Sequence, residues 1–120
     1  MAIAKIGRRD GRILNVAIGD LGNGVTSYSY FNMTDSDTSK FSLHFVITAT
    51  TITLEATNDV DTLDASAVWV DVTNTFFGVA SETVTGTWIM DDYCPFRRLR
   101  VKRLTTAVNN ALALHLNRAQ

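Results

Sequence analysis

Apolar and polar residues alternate with a period of two along most of this chain, the spacing that places successive side chains on opposite faces of a β-strand. "RILNVAIGDLGNG" offers a short strand around Ile13–Ile18, closed by a Gly/Asn cluster, and "VTSYSYFNM" alternates from Val25 to Phe31. "TDSDTSK", Thr34 to Lys40, reads as a polar turn. "FSLHFVITAT" and "TITLEATN" are rich in the β-branched and aromatic residues that suit a pleated surface. In the second, Ile52, Leu54 and Ala56 point inward. The two runs meet with little turn signal, so they form either one bent strand or a hairpin turning near residues 49–51. "AVWVDVT" places Val68, Val70 and Val72 on one face and Trp69, Asp71 and Thr73 on the other. "TFFGVASETVTGTWIM" continues as loop and strand. In "PFRRLRVKRL", Arg97, Leu99 and Val101 share one face, and Arg98, Arg100 and Lys102 the other. The final stretch reads two ways. Leu104, Val108, Leu112 and His115 recur at helical spacing over residues 105–116, but Asn109-Asn110 makes a turn, after which Leu112, Leu114 and Leu116 alternate as in a strand. The strand is favoured.

Short strands at even spacing with almost no helical pattern predict an all-β fold: a single-domain antiparallel β-sandwich of jelly-roll type over residues 13–120, preceded by a basic arm over residues 1–12. A chain of 120 residues fits one domain. The lone proline, Pro95, leaves sheet edges without that form of protection, so another chain or charge must cover them.

Composition sharpens this picture. Charged residues make up 19% of the chain, below the ~25% of an average domain, which points to surface covered by neighbours. Cys94 is the sole cysteine, so no internal disulfide forms. No signal peptide and no apolar run of membrane-spanning length is found, so synthesis inside a cell without export by an obvious route, and no membrane partner, are expected. The net charge of −1 conceals an uneven distribution. Residues 1–12 carry Lys5, Arg8, Arg9 and Arg12 against Asp10, residues 13–92 carry Lys40 against eleven acids, and residues 93–120 carry six bases and no acid. Such ends and middle neutralise each other within one molecule or between subunits. A pI near 6.0 argues against nucleic acid as the partner.

Candidate chemistry is sparse. The tip "NDVDTLD" offers Asn58, Asp59, Asp61 and Asp64. Clustered oxygens could hold a hard cation such as calcium, or with Trp69 or Trp88 form a glycan-binding rim. The EF-hand pattern fails at Leu63, and a solvated turn with Asx side chains bonded to local backbone is the favoured reading. His44 and His115 fall on outward strand positions far apart in sequence, too few for a zinc site of the usual four ligands. Cys94 reads as a small buried residue, and the adjacent Asp91 and Asp92 would point to opposite faces of a strand rather than form a facing pair. With no nucleophile elbow or phosphate loop, neither enzyme chemistry nor a cofactor is expected. The stripe Arg98, Arg100 and Lys102 either meets an acidic partner or pairs with outward acids such as Glu55 and Asp71 on neighbouring strands. Trp69 and Trp88 are either sugar platforms or, the favoured reading, packed in a core or interface.

The order "TLEATNDVD", "AVWVDVT", "PFRRLRVKRL" resembles the C-terminal half of discoidin-like (galactose-binding-like) jelly-roll domains, with Asn58-Asp59 at the turn, Trp69 to Val72 in the second element, and Arg97, Leu99, Arg100 and Val101 in the third. It also looks like small tailed-bacteriophage virion proteins. That resemblance implies a structural protein of the capsid decoration (cement) type on the virion surface. It implies a homotrimer bound to the major capsid protein or other virion proteins; a neck or tail component and a host-glycan-binding module are the alternatives. Lys5, Arg8, Arg9 and Arg12, with Arg98, Arg100 and Lys102, would then meet the partner.

Overall fold

The computed structural model describes residues 13–32, 40–59, 66–90 and 94–119. Within them the chain forms strands β1 (Ile13–Ile18), β2 (Thr26–Asn32), β3 (Lys40–Thr48), β4 (Thr50–Thr57) and β5 (Val70–Asp71). A short helix α1 (Thr73–Phe77) follows, then β6 (Gly86–Met90), β7 (Arg98–Thr105) and β8 (Ala111–Ala119). Two antiparallel four-stranded sheets result, ordered β1-β8-β3-β6 and β2-β7-β4-β5. These orders are those of a jelly roll, in which every step along the chain except β4 to β5 changes sheet. The expected arm of residues 1–12 lies outside the described residues.

The inner faces follow the period-two reading. Phe41, Leu43, Phe45 and Ile47 of β3 and Leu112, Leu114 and Leu116 of β8 face Ile52, Leu54 and Ala56 of β4 and Leu99 and Val101 of β7, all buried in one apolar core. Trp88 of β6 stacks on Phe77 with ring centroids 5.1 Å apart and tilts against Phe45 at 5.0 Å. Its indole N–H donates to Glu82 Oε2 at 3.0 Å, which satisfies the polar end of a buried ring. Trp88 is therefore core and not a sugar platform. Cys94 is buried as expected, and burial pushes its thiol pKa above the ordinary value.

Several expectations are settled or redrawn by geometry. Residues 41–57 form one bent run rather than a hairpin. Ala49 sits in the left-handed region at φ 49°, and this single residue carries the chain from one sheet to the other. Residues 111–119 are strand; Asn109, at φ 59°, makes the turn before it. The three valines of "AVWVDVT" do not share an inner face. β5 is only two residues long, Val68 and Val70 are exposed, and Val72 alone enters the core. The cause is Thr73, fully buried, whose hydroxyl accepts from Leu54 N–H at 2.8 Å and donates to Leu54 C=O at 3.3 Å, after which the chain coils into α1. Arg97 likewise does not share the face of Leu99 and Val101: it precedes β7, is exposed, and donates its backbone N–H to Asn58 Oδ1.

The inner-face position two beyond Val101 holds Arg103, with no exposed surface at all. Its Nη2 donates to Asn110 Oδ1 at 2.6 Å and to Gly19 C=O at 3.3 Å. Asn110, itself buried, uses its whole carboxamide: Oδ1 also accepts from Leu21 N–H, and Nδ2 donates to the carbonyls of Gly22 and Ala107. Asp20 closes the network from outside by accepting from Gly22 N–H at 2.8 Å and Asn109 N–H at 3.2 Å. The Gly22 hydrogen bond, with help from Asn109, Asn110 and the Arg103 charge, holds its carboxyl below the usual carboxylate range against a smaller opposing effect of desolvation. The β1–β2 and β7–β8 connections are thereby tied to each other and to β7.

Two stability changes follow. Asn110→Ala removes the principal acceptor of a buried cation and strands three backbone groups, and should cost about 3–5 kcal/mol in urea denaturation. Ala49→Gly relieves a left-handed backbone at an open corner and should raise stability by about 1 kcal/mol in the same measurement.

Candidate interaction surface

The outer face of the β2-β7-β4-β5 sheet gathers the candidate side chains that the structure describes. Pairing is direct along one row: Tyr30 of β2 lies opposite Arg100 of β7, Arg100 opposite Glu55 of β4, and Glu55 opposite Asp71 of β5. A second row runs Tyr28, Lys102, Thr53. Arg98, Arg100 and Lys102 occupy one face, as their alternation predicts, and all are partly exposed.

Arg100 is held on several sides. Its Nε donates to Glu55 Oε1 at 2.6 Å, and both side chains are largely shielded from water. Its guanidinium lies 4.0 Å from the Tyr28 ring centroid and 4.4 Å from that of Trp69. Arg98 stands 5.2 Å from the same Trp69 ring and donates from Nη1 to the Asp59 carbonyl at 2.9 Å. Tyr30 tilts against Trp69 at 5.8 Å and against Tyr28 at 6.3 Å. The result is an interleaved stack of Tyr28, Arg100, Trp69 and Arg98, with Tyr30 beside it. Guanidinium over an aromatic face is attractive because the π-cloud presents negative charge.

Glu55 and Asp71 are like charges directly opposite, an arrangement that destabilises a sheet unless each is compensated. Arg100 compensates the first, and Asp71 Oδ1 accepts from Thr73 N–H at 2.9 Å. Beside them lies a shallow depression of about 190 Å³ lined by Thr51, Thr53, Glu55, Asp71, Lys102 and Leu104. The same face adds exposed apolar area, with Tyr30 42% and Leu104 41% exposed.

The expected site residues thus divide. Arg98, Arg100, Lys102 and Trp69 come together, and the pairing of the stripe with an outward acid is realised in Arg100–Glu55. Asn58 and Asp59 lie at the adjacent end of β4; Asn58 bonds distant backbone at Arg97, and Asp59 N–H donates to Thr57 Oγ1. Lys5, Arg8, Arg9, Arg12, Asp61 and Asp64, and the Asp91-Asp92 pair, lie outside the described residues. Among the described residues, no group of three or more His, Cys, Asp and Glu side chains could hold a metal ion. Tyr28 and Tyr30 are the contributors that pattern reading missed. Serines alternate with them, and Ser29 rather than either tyrosine is the buried residue. The usable signal was Phe31: once it is inward, parity sends Ser29 inward and both tyrosines out.

No protein-family model matches this chain, and no curated protein matches it. Among solved structures, the fold is similar to that of the Yersinia pseudotuberculosis-derived mitogen (YPM), with a TM-score of 0.50 and 12% sequence identity over 90% of this chain and 86% of that one. At that identity the likeness concerns the fold alone.

Arg100→Ala should lower stability by about 2–3 kcal/mol in chemical denaturation. Arg100→Lys should recover less than half of this loss, because a point charge cannot stack and fork as a guanidinium does.

Proposed function

We propose that this chain is a non-catalytic structural protein that adheres to neighbouring protein subunits, in the setting of a tailed-bacteriophage virion as a capsid decoration protein. The observation that carries the adhesive part is the Tyr28–Arg100–Trp69–Arg98 stack with the exposed apolar area on the same face. Tyr, Trp and Arg are the residues in which interface binding energy concentrates, and a stack already fixed by Glu55 and the neighbouring rings loses little entropy on docking. The virion setting rests on the sequence likeness of Thr53 to Leu104 to small virion proteins, as does the trimer. In this reading the sandwich adds interface area that resists internal pressure on the shell, and the basic arm orders on an acidic neighbour.

A second reading has one observation in its favour. The depression beside Asp71 is lined by two threonine hydroxyls, two carboxylates and an ammonium group, a donor and acceptor set suited to the hydroxyls of a sugar. The stacked guanidinium groups cover much of Trp69 and weigh against it as a sugar platform.

Electron microscopy of intact particles should find the protein on the shell surface. Tyr30→Ser with Lys102→Glu should lower its occupancy at least about tenfold, and deletion of residues 1–12 should weaken binding while leaving the fold intact. Absence from particles, together with retention on a glycan array, would replace the first reading with the second.

A further inference from the structure

The opposite outer face, that of the β1-β8-β3-β6 sheet, carries a pair of histidines that sequence distance conceals. His44 of β3 and His115 of β8 are direct cross-strand partners, both exposed, with rings near parallel at 24° and centroids 6.0 Å apart. His44 is in turn opposite Thr87 of β6, and its Nδ1 lies 3.2 Å from Thr87 Oγ1. We propose that His44 and His115 together chelate a divalent transition-metal ion of the Cu²⁺, Ni²⁺ and Zn²⁺ class, with water completing its coordination.

Geometry supports a shared ion. With metal–nitrogen bonds of about 2.0–2.1 Å, each ring centroid stands about 3.2 Å from the metal, so two imidazoles on one ion have centroids about 4.5–6.4 Å apart. The observed separation of 6.0 Å falls inside that span. The strands concerned are the two central ones of the sheet, paired over nine positions from Lys40↔Ala119 to Thr48↔Ala111, which fixes the spacing of the two Cβ atoms.

Thr87 supplies the outer contact that imidazole ligands usually have. When Nδ1 of His44 carries the proton and donates to the Thr87 hydroxyl, the Nε2 lone pair is the one left for a metal. The donor set also selects the ion. Two imidazole ligands favour borderline metals over calcium or magnesium, which need several oxygen ligands. Affinity should follow the order in which Cu²⁺ leads.

The test is titration of the untagged, full-length protein with CuCl₂ and with NiCl₂, followed calorimetrically, with CaCl₂ as control. One Cu²⁺ should bind per chain, or one per two chains if two copies share an ion, with no heat from Ca²⁺. His44→Gln and His115→Gln should each weaken binding at least about tenfold, and Thr87→Val by up to about tenfold. All three positions are exposed, so unchanged circular dichroism spectra and melting temperatures should accompany these losses. Cu²⁺ affinity unchanged in His115→Gln, or no Cu²⁺ binding by the wild-type chain, would overturn the proposal.

Discussion

The buried Arg103–Asn110 contact is the constraint on which the rest of this sandwich depends. A jelly roll sends its chain repeatedly from one sheet to the other, and each crossing exposes backbone groups that no ladder satisfies. Here the β1–β2, β3–β4 and β7–β8 crossings lie at one end of the molecule. Asn110 satisfies Leu21, Gly22 and Ala107, Asp20 satisfies Gly22 and Asn109, and Thr106 N–H reaches the Ala49 carbonyl at the middle crossing. Thr105 adds a hydroxyl that accepts from Val25 N–H at 2.7 Å. A cation with three side-chain nitrogens is an expensive object to bury. Nη2 has partners, whereas Nε and Nη1 have none, so the network trades part of its stability for a fixed relation among three loops. Desolvation accordingly lowers the Arg103 pKa, and the Asp20 charge works the other way.

That fixed end sets the two outer faces. Register in β4 and β7 is counted from Thr50↔Thr105, next to the network, and runs without a bulge to Thr57↔Arg98. Because parity is unbroken, Glu55 falls opposite Arg100, and the guanidinium stack assembles from residues on three strands and the chain entering β5. On the other sheet the same regularity from Thr48↔Ala111 brings His44 beside His115. One face is aromatic and charged; the other is built largely of small and neutral side chains. Their chemistry differs although one folding rule made both.

The fold was legible because it is written in alternation. Within β3, β4, β7 and β8 the buried residues recur at a period of two, and the interior parity changes only at the connections between those strands. What alternation cannot show is a polar residue on the inner face. Arg103 continues the inward set Leu99, Val101, yet nothing local says that a guanidinium would be enclosed, because its partners Gly19 and Asn110 arrive from other loops. The same limit applies to "AVWVDVT". Thr73 and Leu54 exchange hydrogen bonds across 19 residues of sequence, and this tertiary contact ends the strand that the valines suggest. At the candidate surface the basic stripe was visible, whereas its aromatic partners were hidden by serines at alternate positions and by cross-strand pairing known only from the register.

Ala49 carries a consequence of its own. Up to Ile47 the odd-numbered residues are interior, and from Thr50 onward the even-numbered ones are; one residue in the left-handed region makes the exchange. The corner has no slack, so insertion or loss of a single residue there would turn β4 inside out, burying Thr51, Thr53 and Glu55 and stranding Ile52 and Leu54 in water. Among descendants of this chain, length variation should therefore collect away from this bend, which acts as a molecular ruler for both layers.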